Sequence, residues 1–82
     1  MERLAEIRES IAIRLQEARR LEITAHNDIA YERKVIKHAM RARNESQERD
    51  ARSRLACHYA DLHESRGMIS ALTDCLAAFP HE

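Results

Sequence analysis

The sequence predicts an all-α protein built as a long helical hairpin, and three observations carry that prediction. Glycine and proline occur once each in 82 residues, which leaves little material for tight turns or for the strands they would join. Alanine occurs thirteen times, and Arg, Glu, Leu and Ile fill much of the remainder; most of these favour helix. Leu55, Leu62, Ile69 and Leu76 fall seven residues apart, which places four large side chains on one seam of a helix, ready to meet another. A chain of this length forms one small helical domain, residues 1–82, with a marginal core. The hairpin is therefore expected to be coiled-coil-like and to complete a bundle by dimerisation.

The first helix is expected over about residues 2–42. Leu4, Ile7, Ile11, Leu15, Ala18, Ala25, Ile29, Ile36 and Met40 follow a period close to 3.6. Met40 stands ten straight-helix turns after Leu4 and returns to its azimuth. The weak point is residues 24–28, where Asn27 could cap a new helix, but the stripe keeps its phase across it, which favours a continuous helix. Ile13 and Tyr31 lie on the opposite face with Val35 nearby. They read either as scattered surface apolars or as a second contact face for a partner.

Residues 41–50 hold no large apolar side chain. Asn44 followed by Gln47 has the form of a capping box opening a new helix, so a turn is expected near residues 43–46. Without one, a single helix would run on the order of 115 Å at 1.5 Å per residue and would need support along its length. The second helix is expected over about residues 47–78, with Ala51, Leu55, His58, Leu62, Ile69, Leu72, Leu76 and Phe79 on its apolar face. Gly67 lies off the seam. Pro80 ends the helix, because a residue preceding proline is pushed out of the α region, and His81 and Glu82 form a tail.

Net charge is zero but segregated. Residues 33–54 carry eight basic and three acidic side chains, residues 1–32 five and seven, and residues 55–82 one and four. Arg41-Ala42-Arg43-Asn44, with Arg52 eight residues after Asn44 and Leu62 ten after Arg52, resembles the register of the bZIP family, in which an Asn and an Arg read DNA from a basic helix continuous with a zipper. The resemblance implies DNA contact by Asn44 and Arg52. Against it, Glu48 and Asp50 set carboxylates where phosphate would lie, the second seam in that register would be Tyr59, Arg66 and Thr73, and the amphipathic N-terminal helix itself requires burial. A solvated, Arg-rich turn is the plainer reading.

Chemistry finds little footing. His58 and His63 are five apart, where helical zinc pairs prefer four, so no metal and no cofactor is expected. Cys57 and Cys75 on one helix would lie roughly 27 Å apart at 1.5 Å per residue, beyond the reach of a disulfide. No nucleophile is paired with an activating group, and two helices enclose little volume for a substrate; no enzyme is expected. No apolar run approaches a membrane span and no signal-peptide core opens the chain, so a cytoplasmic protein is the default. Three functional readings remain, one of which makes the basic middle a docking patch for an acidic protein surface. In the first, the chain is a small helical protein–protein interaction module, a regulator, inhibitor or adaptor in the style of phage- or plasmid-encoded modulators and secretion co-chaperones. It would form a homodimer through Leu55, Leu62, Ile69 and Leu76 and meet a larger protein through Ile13, Tyr31, Val35, Arg41, Arg43, Arg49 and Arg52. In the alternative, the basic segment 33–54 binds nucleic acid through its phosphates.

Overall fold

A computed structural model of the chain describes residues 2–79. They form two helices and nothing else regular: α1, Glu2–Arg41, and α2, Glu45–Ala77, antiparallel and packed on each other along a rod of 62 × 14 × 13 Å. No helix among the described residues is long and apolar enough to cross a membrane. The residues Pro80, His81 and Glu82, expected to stop the helix and form a tail, lie outside the described residues.

α1 runs unbroken through residues 24–28. Ala25 and Ile29 on either side of Asn27 are buried against Leu62, with Leu55 and Tyr59 packed around them. A break there would lift both from the core, so tertiary packing holds the weak point in the helix.

The turn falls at Ala42–Asn44, slightly ahead of its expected place. Two hydrogen bonds close α1: the Arg43 N–H donates to the Met40 carbonyl at 3.2 Å and the Asn44 N–H to the Ala39 carbonyl at 2.9 Å. This is the paired arrangement of a Schellman cap, with Arg43 in the left-handed position, φ 55°. Asn44 then turns its side chain forward, and its Oδ1 accepts the Gln47 N–H at 3.1 Å. One residue thus closes α1 with its backbone and opens α2 with its side chain. Because Asn44 is itself the cap, α2 begins at Glu45 rather than Gln47.

The buried side follows a strict 3–4 alternation on both helices. On α1, Leu15, Ala18, Ala25, Ile29, Glu32, Ile36 and Ala39 are buried and Glu22 is half-buried; on α2, the buried Ala51, Leu62 and Ser65 alternate with the half-buried Glu48, Leu55, His58, Ile69, Leu72, Leu76 and Phe79. That is the heptad of a two-stranded coiled coil, with a mean period of 3.5 rather than 3.6. The difference amounts to one residue over the length of α1. The position equivalent to Leu4 is Ala39, which is buried, while Met40 stands on the flank, 55% exposed. Ile7 is likewise a flank residue. Leu4 is in register but exposed, because α1 is seven residues longer than α2 and overreaches it. The seam Leu55, Leu62, Ile69, Leu76 does face α1, but of the four only Leu62 is buried, at 4% exposure, and the others are half-buried.

Two polar contacts cross between the helices in this register. Glu32 pairs with Arg54 at 2.7 Å, and Asp28, one turn back, approaches His58, one turn on, at 3.9 Å. Glu32 and Ser65 are the polar side chains within the core. Glu32 is held by Arg54, and the Ser65 hydroxyl donates to the Leu62 carbonyl at 2.9 Å. Among the described residues no buried side-chain polar atom lacks a partner.

Candidate interaction surface

A two-helix coiled coil has a seam and two flanks, and here the flanks differ. One flank is bridged by polar contacts from the turn as far as Arg66. The Arg33 guanidinium bonds the Tyr59 hydroxyl and sits 5.8 Å from the ring centre. Arg66 lies 3.3 Å from His26 and 3.5 Å from Glu22. Arg52 pairs with Glu48 at 3.2 Å and reaches to 4.0 Å from the Met40 sulfur.

On the other flank the Glu32–Arg54 and Asp28–His58 pairs close the half near the turn. Beyond them the flank is apolar. A cleft of about 280 Å³ runs between the helices over Ala25 and Ser65, walled by Leu21 and Met68. It continues past Met68 over Ala71 and Leu72. Leu21 is 55% exposed and Met68 40% exposed. Asp28, Asp61 and Glu64 stand along its rim. At the open end of the hairpin a further hollow lies between Leu4, Ala12, Leu76 and Phe79.

The turn is the basic end. Arg41, Arg43 and Arg49 are exposed there, with Arg52 beside them, so the fold brings these four site residues together. It does not bring Ile13 to Tyr31: both are exposed on α1, at 51% and 64%, but 18 residues separate them, roughly 27 Å of helix. Val35 is half-buried on the apolar flank. The turn also cuts the segment with the bZIP-like register in two: Arg41 belongs to α1, Arg52 to α2, and the Asn44 side chain is occupied as a cap. The continuous basic helix of that family is not formed here.

Leu21 and Met68 are the members of this surface that sequence reasoning missed. The signal was present in a 3.5 register. Ile7, Leu21 and Val35 recur every fourteen residues, and Met68 immediately precedes the seam residue Ile69, which places all four on coiled-coil flanks.

The surface area carries the same message as the cleft. The chain exposes 6583 Å², whereas a globular protein of its 9.5 kDa would expose about 5,000 Å². No large side chain is completely buried: those with no exposure at all are Ala18, Ala39 and Ala51.

Comparison with known proteins returns no matching family, no matching curated protein and no matching solved structure.

Proposed function

We propose that the chain is a non-catalytic helical interaction module that self-associates as a homodimer and acts by binding a larger protein as a regulator, inhibitor or adaptor. The observation that carries this reading is the unbridged apolar flank, where Leu21 and Met68 stand half out of a cleft floored by core residues. The excess of about 1,500 Å² over a globular chain is more than the roughly 800 Å² per partner that a stable interface needs. Ile13 and Tyr31, on the far face of α1, stay open to a second protein after the flank is covered.

Substituting Leu21→Glu and Met68→Glu together tests the reading. In an isolated hairpin both positions are solvated, and surface changes of this kind move stability within about 0.5 kcal/mol. In a dimer they set carboxylates inside the interface. The parent should show a thermal midpoint that rises with protein concentration, as coupled association requires, and the double variant should lose that dependence. A parent midpoint independent of concentration would contradict self-association.

The exposed arginines at the turn favour a second reading, contact with nucleic-acid phosphates. Its support is thinner, because Arg33, Arg52 and Arg54 are engaged within the hairpin. Counterion release predicts steeply salt-dependent binding to duplex DNA or RNA; absence of binding at low salt would exclude it.

A further inference from the structure

We infer that the occupant of the apolar flank is a second copy of this chain laid antiparallel, so that the basic turn of each hairpin rests beside the open end of the other. The inference deepens the proposed self-association and rests on it. Charge and the acidic rim give the direction, and the position of Leu21 fits it.

The first is charge. Residues 33–54, net +5 by sequence, fold into the end of the rod nearest the turn, and the other described residues, 2–32 and 55–79, net −4 together, form the rest. Side by side and parallel, two hairpins would stack one +5 end on the other within the roughly 8 Å over which charges act at physiological ionic strength. Antiparallel, each basic end lies against the other copy's open end, where Glu2, Glu6, Glu9 and Asp74 outnumber Arg3 and Arg8. Like-charge juxtaposition is what suppresses the wrong arrangement, and opposite charge fixes the register of the right one.

The second is position. A twofold axis that pairs two equal rods antiparallel with full overlap must pass through their middle. Leu21 lies at the midpoint of Glu2–Arg41, so the exposed leucine falls on the axis and meets its own counterpart, as an isologous contact demands. Met68 opposes it across the cleft.

The third is the acidic rim. Asp61 and Glu64, beside the cleft, stand where the same flank of a neighbouring copy would run. Arg14 stands at the cleft's far end and offers a cation to those carboxylates in the antiparallel copy.

Spin labels test the direction. Ser46 and Ser53 are exposed and seven residues apart on the outer face of α2. Each is converted to cysteine separately in a Cys57→Ala, Cys75→Ala background, in which both replaced thiols are exposed ones. Distances between the two copies are read by double electron–electron resonance, with sedimentation equilibrium run on the same samples. Antiparallel pairing predicts a long separation at Ser46, approaching the 62 Å rod, and a separation shorter by roughly 15–20 Å at Ser53, because each label moves about 10 Å toward the axis. A parallel dimer would give similar, short distances at both positions and would overturn the inference while leaving self-association intact. A monomeric mass would overturn both. Because two labels are compared, loss of folding in one variant, seen by circular dichroism, still leaves the absolute distance at the other to decide between long and short.

Discussion

At Arg43 the chain holds a residue with a β-carbon in a conformation that glycine adopts without penalty. The left-handed region costs an L-residue roughly 1–2 kcal/mol, and the Schellman cap places Arg43 in it. Glycine would remove that cost and lose part of the gain to its greater freedom in the unfolded chain. Arg43→Gly is therefore predicted to stabilise the protein by about 0.5–1 kcal/mol, raising the thermal midpoint by several degrees for a domain of this size. A midpoint unchanged or lowered on calorimetry would contradict the assigned turn. The same residue marks a limit of sequence reading. A glycine at this place would have announced the end of α1, and an arginine in a basic run did not. Glu32 was hidden for a similar reason. A carboxylate is read as surface, and nothing local reveals that Arg54, 22 residues on, reaches back to hold it at a core position.

The two helices were legible in unequal degree. For α2 the sevenfold recurrence of Leu55, Leu62, Ile69 and Leu76 sets the coiled-coil phase directly, and the structure keeps it. For α1 the apolar residues fit 3.6 and 3.5 almost equally well, because the stripe is wide and its alanines are uninformative. The difference reaches one full residue only at the far end, where Met40 was expected inside and Ala39 is found. Two facts resolve the ambiguity in favour of 3.5. α2 offers a straight heptad seam, and a helix packed along the length of α2 must share its period. Small residues on α1 then suit that seam: Ala25 sits in one cluster with Leu62, and continuing the register sets Ala18 near Ile69. The turn was legible through Asn44, whose Oδ1 accepts the Gln47 N–H as one half of the capping pattern, while its own N–H donates to the Ala39 carbonyl and not to the Gln47 side chain.

At the scale of the whole molecule, the hairpin is a rod whose flanks are bridged in the half near the turn, one of them as far as Arg66 and the other only to Asp28, and that difference was not legible. Periodicity identifies which side of a helix is apolar, but the flanks are defined by pairs of residues on different helices, such as Arg33 with Tyr59 or Arg66 with Glu22. Until the antiparallel register is known, those pairs cannot be matched. The segregated charge was plain in the sequence, yet it acquires direction only once the turn gathers residues 33–54 at one end. In the proposed dimer a second copy covers the open flank, and on α2 Leu55, Ile69 and Leu76 are only half-buried while Leu62 is buried. Sedimentation equilibrium of the unmodified chain tests this most directly. A folded, helical species of twice the 9.5 kDa chain mass, dissociating on dilution with loss of helix, is the predicted result. A stably folded single-chain mass at tens of micromolar would contradict it.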